Sequence, residues 1–278
     1  MDTLRKGTPV RLSDRVLRVT QDNPGMFTGP GTNTWVVGGD AGPAFVLDPG
    51  EEDDAHFEAV LAAVGGREVA AVLISHTHRD HWPLAPRLAE HAGCQILAFS
   101  EQPPFTAGRR LEDNERLSAD GATLMALHTP GHASDHLCLL LEEERAVFTA
   151  DLVMGWSTSI IAPPDGNLNQ YMASLERLLQ LGQDGGIDVL HPGHGESIKP
   201  PLDRIREIRS HRQQRTDQAV EAIAAGVATI PEMVERIYAD VDPKLHGPAA
   251  FSLRAHLDAL VEEGKVVEDQ PGRYEPAV

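Results

Sequence analysis

His76-Thr77-His78-Arg79-Asp80-His81 follows, with Ser75 alone between, the apolar run Val69-Ala70-Ala71-Val72-Leu73-Ile74. The run reads as a buried strand and the hexapeptide as the loop that begins where the strand ends. Three imidazoles and one carboxylate stand together in that loop. A strand end gives them a rigid base, and the loop lets closely spaced side chains converge. Imidazole nitrogen and carboxylate oxygen suit zinc, and also iron or manganese. Each of these histidines alone would pass for a structural or surface residue; together they point to a metal.

Three later positions have the same setting. His132 lies in Thr129-Pro130-Gly131-His132 after the strand-like run Thr123–Leu127, Asp151 follows Ala146–Ala150, and His194 lies in His191-Pro192-Gly193-His194-Gly195 after Ile187–Leu190. The neighbouring glycines permit the tight turns a crowded centre needs. Further short apolar runs (Val16–Val19, Thr34–Val37, Ala44–Leu47, Ala71–Ser75, Gln95–Phe99, Leu137–Leu141) predict strands, and Asp54–Val64, Pro83–Ala92 and Leu168–Leu181 predict helices. Hairpin-like runs followed by strand–helix alternation imply a layered α/β protein.

Beyond residue 200 the pattern changes. Arg204, His211, Arg212 and Arg215 fall on one side of a predicted helix, either as a solvated face or as a stripe able to contact phosphates. Thr229-Ile230-Pro231-Glu232 has the form of a capping box, so a helix is expected from there to Ala239. A second helix should carry Leu253, Leu257, Leu260 and Val261 on one face and end at Gly264, before a hairpin turning at Pro271-Gly272. Helices followed by a hairpin suggest a winged-helix-like appendage. The expected division is a catalytic domain over 1–200, a linking helix over 201–225 and the appendage over 226–278. The acidic residues Glu262, Glu263, Glu268 and Asp269 around the wing favour dimerisation or substrate shaping over nucleic-acid binding.

Composition excludes more than it selects. The chain has 278 residues, 41% hydrophobic and 24% charged, which fits an ordinary globular protein. Its net charge of −18 does not suit a general binder of polyanions. No stretch approaches the roughly 18 apolar residues of a membrane span and no apolar leader opens the chain, so a cytoplasmic location is expected. Cys94 and Cys138 sit in apolar runs without metal-binding spacing and are expected to be reduced thiols.

The HxHxDH segment, the later TPGH, the strand-end Asp151 and the PGHG occur in an order that resembles the metallo-β-lactamase-fold superfamily, over roughly residues 15–200. The resemblance implies an αββα sandwich with metals at one edge of its two sheets. It further implies that His76, His78 and His132 hold one zinc while Asp80, His81 and His194 hold the other, with Asp151 bridging. Within that superfamily the chain resembles more narrowly the β-lactamase-like protein 2 group, through Asn23-Pro24-Gly25, Gly31-Thr32-Asn33-Thr34, His211-Arg212-Gln213-Gln214-Arg215 and the appendage. Ala150 departs from that group, which usually has Gly before the bridging Asp.

Such a centre implies hydrolysis by water activated at two metals, with Asp80 as the catalytic carboxylate. The expected substrate is a small carbonyl compound: a thioester, ester, lactone or amide. Trp35, Trp82 and Trp156 are candidates for its apolar wall. His136 is a candidate partner of the ligands, while His128 and His191 read as structural. The alternatives are a single-stranded RNA endoribonuclease using Arg212 and Arg215, a glyoxalase II-type thioesterase, and a non-catalytic metal-sensing DNA binder. A homodimer is compatible with the appendage. Asp151 argues against β-lactam hydrolysis, because the β-lactamases of the superfamily typically lack it. The appendage offers no match to the glutathione-binding helices of glyoxalase II.

Overall fold

The computed structural model describes residues 4–240 and 242–277. One sheet takes its strands in chain order: β1 (Val10–Arg11), β2 (Val16–Thr20), β3 (Asn33–Val37), β4 (Ala44–Leu47), β5 (Val69–Leu73), β6 (Ile96–Ala98) and β7 (Arg109–Arg110). The first four form an antiparallel meander, and β4 to β7 run parallel. The second sheet contains β8 (Arg116–Ala119), β9 (Ala122–His128), β10 (Leu137–Leu141), β11 (Ala146–Ala150) and β12 (Val189–Pro192), in the order β12-β11-β10-β9-β8.

Alternation along the strands builds the layers, because successive side chains point to opposite faces. Trp35, Val37, Phe45, Leu47, Ala71 and Leu73 face Leu124, Ala126, Leu137, Leu139, Leu141 and Phe148 of the other sheet. Their neighbours Val36, Val46 and Val72 point outward, onto α1 (Asp54–Val64) and α2 (Ala85–Ala92), through Phe57, Val60, Val64, Leu84 and Leu88. On the far side Cys138, Leu140 and Val147 pack against α3 (Leu168–Gln183) and the first half of α4 (Pro201–Ala224). The result is the expected αββα sandwich.

Sequence reading omits β1, β7 and β8. β1 and β7 are the outer strands of the first sheet and β8 is an outer strand of the second, and all three carry exposed polar residues. Edge strands of this kind leave no alternating apolar signal. Cys94 and Cys138 are both free thiols, and burial pushes Cys138 up to about 12.

The second half of α4 changes neighbours. Ala219, Ala222 and Ile223 share a core with Met233 and Val234 of α5 (Ile230–Ile237), Leu253, Leu257 and Leu260 of α6 (His246–Glu262), and Val266 and Tyr274. The last two belong to β13 (Val266–Gln270) and β14 (Arg273–Pro276), paired as a hairpin. Thr229 and Glu232 make the predicted capping box. α5 ends two residues before Ala239, at Ile237, with the Tyr238 ring buried in the same core. Among the described residues, no helix is long and apolar enough to cross a membrane.

Every loop with a candidate ligand leaves the same edge. β4 and β5 are parallel, and β9, β11 and β12 share one direction through their pairings with β10 and with each other. The Leu137 amide donates to the Ser75 carbonyl at 2.7 Å and the Asn33 amide to the Gly193 carbonyl at 2.7 Å, which ties the two sheets together at that edge.

His56 anchors α1 beside it. The Thr34 hydroxyl donates to the Asp48 carbonyl, so His56 Nε2 donates to the hydroxyl at 2.8 Å. Burial lowers the His56 pKa to about 4. Folding therefore favours the neutral ring. Its contribution to stability is complete above the usual value of 6.5 and is lost as pH falls from there toward 4. Replacing His56 with Gln should flatten the acid side of the stability profile, recovering roughly 2 kcal/mol of the wild-type loss between pH 7.5 and 5. Denaturant unfolding at the two pH values measures this; an unchanged slope in H56Q would contradict it.

Candidate metal centre

Two groups of ligand atoms converge at this edge: His76, His78 and His132, and beside them Asp80, His81, Asp151 and His194. His78 Nδ1 lies 3.1 Å from His76 Nε2 and 2.9 Å from His132 Nε2. In the other group Asp80 Oδ2 lies 3.2 Å from His194 Nε2 and 3.6 Å from His81 Nε2. Asp151 stands between the two. Its Oδ1 is 3.3 Å from His194 Nε2 and 3.6 Å from His81 Nε2, and its Oδ2 is 3.5 Å from His132 Nε2.

The outer nitrogens of these rings are already spoken for. His132 Nδ1 donates to the Ile160 carbonyl at 2.6 Å, and His194 Nδ1 to the Gly31 carbonyl at 3.3 Å. His81 Nδ1 donates to Asp48 Oδ2 at 3.0 Å. The Ser75 hydroxyl donates to the same carboxylate at 2.6 Å and so accepts from His76 Nδ1 at 3.0 Å. Each of these bonds fixes a tautomer whose lone pair, on Nε2, points inward. One buried residue, Asp48, thereby orients a ligand in each group.

The inner atoms lack partners. His81 Nε2, His194 Nε2 and Asp151 Oδ1 are buried without a hydrogen bond. Unpartnered polar atoms of this kind are costly unless something binds them. Electrostatics divides the two groups. Burial holds His132 down to about 4 and His76 well below the ordinary range. Burial also opposes charge on Asp80, His81, Asp151 and His194, but there the mutual attraction wins. Asp80 is held at about 2 and Asp151 well below the ordinary carboxylate value, while His194 is pushed up to about 9 and His81 also rises. The buried Asp151 and the half-buried Asp80 thus draw positive charge onto their neighbours. Divalent cations would supply that charge and leave the imidazoles neutral, so the donor set fits metal ions.

The turns are as tight as the glycines suggested. A Cβ on Gly193 would stand 2.7 Å from Asp151 Oδ1, and one on Gly131 would stand 2.3 Å from the Tyr171 backbone. Ala150 has φ +39°, a left-handed conformation that favours glycine. That is a physical reason for the glycine that the resemblance leads one to expect there. The loop after Ala150 is further pinned by Ser159, whose hydroxyl donates to the Asp151 carbonyl.

A cavity of about 350 Å³ opens over the centre, reaching His78, Asp80, His132 and Asp151. Met26, Phe27, Met154, Trp156 and Ile160 give it an apolar wall. Trp156 therefore stands where the sequence reading puts it. Trp35 does not: it is buried between the sheets against Phe148 and His191, because its strand position points inward. Trp82 packs on Phe105, with its indole N–H on the Thr77 carbonyl, and does not line the cavity. His136 is buried behind His76 and bonds Thr129 Oγ1 at 3.0 Å. His128 stacks on Phe99, and His191 bonds Ser197.

The arginine stripe departs from the solvated-face reading. Arg204 donates to the Met154 and Ser157 carbonyls, and Arg212, buried, to the Ser159 carbonyl and the Ser252 hydroxyl. Arg215 lies over the Tyr238 ring and donates to the Ile237 carbonyl. Helical spacing shows that these residues share a face but not what packs on it. Here the face holds the cavity loop and the appendage, not solvent.

Asp48, the Gly31 and Ile160 carbonyls, and Met26 and Phe27 are additions to the sequence-predicted set. Only Asp48 carried a signal, since it follows β4 as Asp151 follows β11. The Gly31-Thr32-Asn33-Thr34 motif also gains a role. Asn33 Nδ2 donates to the Pro192 and Gly195 carbonyls at 3.0 and 2.8 Å, and so staples the His194 loop to the first sheet.

Residues 27–194 match the metallo-beta-lactamase superfamily, and residues 229–273 match the beta-lactamase associated winged helix domain. An atrochrysone carboxyl ACP thioesterase of Aspergillus fumigatus is 32% identical, over 85% of this chain and 79% of its own. The beta-lactamase-like protein 2 homolog of Drosophila melanogaster is 29% identical, over 92% and 91%. The crystal structure of a beta-lactamase domain protein from Burkholderia ambifaria superposes with a TM-score of 0.85 at 21% identity, over 99% of this chain and 96% of that one. With its sandwich, its converging donors and its winged-helix appendage, the chain belongs to the metallo-β-lactamase superfamily and is a hydrolase of that fold.

Proposed function

We propose that this hydrolase cleaves a thioester at a dinuclear zinc centre. In this reading His76, His78 and His132 hold one ion and Asp80, His81 and His194 the other, with Asp151 between them. The catalytic unit then runs to about residue 200, α4 links it onward, and the appendage begins near 226. The observation that carries the reading is Asp151, whose two oxygens face the two ligand groups below a cavity with an apolar wall. The thioesterase among the relatives favours a thioester over the other carbonyl substrates.

When bound, two divalent ions supply Lewis acidity toward the carbonyl and lower the pKa of water. The chain's own residues do the rest. Asp80 lines the cavity and is held ionised, so its free oxygen can accept the proton of the attacking water and return it to the departing thiolate. Water adds to the carbonyl carbon, the carbon–sulfur bond breaks, and a carboxylic acid and a thiol leave. Met26, Phe27 and Trp156 take the acyl group by apolar contact and keep bulk water from it. Asp48 holds His76 and His81 in orientation throughout.

RNA cleavage is the weaker reading, because α4 spends Arg204 and Arg212 on backbone carbonyls. A panel of thioester, ester, lactone, β-lactam and single-stranded RNA substrates tests the choice. Thioesters should give the highest kcat/KM, and Asp80→Ala should lower kcat by about 100-fold or more, the usual scale for loss of a proton-transfer group. Preferred cleavage of RNA, or full turnover by D80A, would overturn the assignment.

Asp48 gives a separate test of the centre. Asp48→Ala should weaken zinc binding by about 10- to 100-fold, as losing an orienting partner of a histidine ligand does. Competition with a chromophoric chelator reads this directly, and an unchanged affinity would remove Asp48 from the account.

A further inference from the structure

A second cavity, of about 240 Å³, continues from the first. It shares Phe27, Ser157, Thr158 and Ile160 with the cavity over the metal centre and runs on to His211, Arg212 and Arg215, between α4 and the appendage. Two consecutive residues form the partition. The Ile160 carbonyl accepts from His132 on one side, and the Ser159 carbonyl accepts from Arg212 on the other.

The charge in this second cavity is not balanced. Arg204, Arg206 and Arg209 of α4 pair with Glu207, Asp203 and Glu176. Among the described residues, Arg212 and Arg215 form no ion pair with a carboxylate, although acidic residues outnumber basic ones 42 to 24 in the chain. Arg212 is 2% exposed and its Nε has no partner. Arg215 donates through Nη1 to the Ile237 carbonyl and Gln218 Oε1, which leaves Nε and Nη2 as further donors. His211 also lines the cavity, and its Nδ1 is without a partner. Buried guanidinium charge without a counter-charge is costly, and an anion of the substrate would relieve it.

Extent decides what kind of anion fits. A polyanion gains affinity from many cations along its track. Here the two unpaired guanidiniums meet in one small, open-mouthed cavity on an acidic protein, which suits a single phosphate. We infer that this cavity receives the phosphate of the substrate's leaving arm, the phosphopantetheine thiol that coenzyme A and carrier proteins share, with the rest of the carrier or nucleotide continuing out through the open mouth. Arg215 and His211 donate to the phosphate, Arg212 supplies charge beneath it, and the arm passes Ser157 and Thr158 to bring the thioester over the metal centre. The inference rests on the thioesterase reading above and adds the recognition of the thiol side.

Calorimetric titration with 4′-phosphopantetheine and with pantetheine separates the phosphate from the rest of the arm. Wild type should bind the phosphorylated form about tenfold more tightly, the scale of one charge-assisted contact. Arg215→Gln should abolish the difference and Arg215→Lys retain part of it. Since Arg215 also touches the appendage, His211→Gln serves as a second variant, with thermal melts of all three to confirm folding. Equal affinities in wild type, or a preference that survives both R215Q and H211Q, would overturn the inference. So would tighter binding of a single-stranded RNA oligonucleotide that is lost in R215Q, which would assign the cavity to RNA instead.

Turnover then separates this inference from the one beneath it. The same acyl group should be released faster from coenzyme A or from a carrier protein than from N-acetylcysteamine, and the faster of the first two names the source of the arm. Equal rates on all three would overturn the phosphate subsite and leave the thioesterase standing. Phosphate-selective binding without hydrolysis of any thioester would do the reverse.

Discussion

Two carboxylates, Asp80 and Asp151, are held ionised in a pocket walled by imidazoles, and the rest of this end of the molecule is arranged around their charge. Removing an ionised carboxylate from water costs several kcal/mol unless opposite charge and hydrogen bonds replace the solvent. The inward nitrogens of His81 and His194 have no hydrogen-bond partner, and their outward nitrogens are bound to Asp48 and to the Gly31 carbonyl. The combination leaves lone pairs and negative charge facing a common point. Cations are the chemical species that satisfy both.

The sandwich serves that arrangement by bringing strand ends together. β4 and β5 from one sheet and β9, β11 and β12 from the other all end at one edge, so ligands far apart in sequence emerge side by side. The loops there have little freedom. Asn33 pins the His194 loop, Ser159 the Asp151 loop, and glycine is required where a side chain would strike Asp151 or the Tyr171 backbone. The close-packed core between the sheets, which includes Trp35, gives those loops their base. α4 extends the support outward, since Arg204 and Arg212 grip the loop that carries Trp156 and Ile160, and the same helix is built into the core of the appendage. The appendage is thereby joined to one wall of the cavity.

Much of this could be read from the sequence, for reasons that differ by residue. The segment from His76 to His81 declares itself by density, and the layered fold by apolar runs of strand and helix period. His132, Asp151 and His194 are legible as residues placed just past strands, but only the resemblance to a family brings them to one place. Asp48 has the same position after β4, but a lone carboxylate in a Leu-Asp-Pro-Gly turn reads as ordinary turn chemistry. The carbonyls of Gly31 and Ile160 leave no mark in side-chain patterns at all. Trp35 and Trp82 show the opposite failure. Their residue types suggest contact with a substrate, while the direction of a side chain and the element that covers it are set by tertiary packing.

The central claim is that these donors form two adjoining metal sites, and metal stoichiometry tests it most directly. Elemental analysis of protein stripped with chelator, reloaded with zinc and freed of excess should give two ions per chain, one for each ligand group. Asp151→Ala should lower the occupancy, since both groups lose the carboxylate between them. One ion or fewer per wild-type chain, or undiminished loading of D151A, would contradict the account.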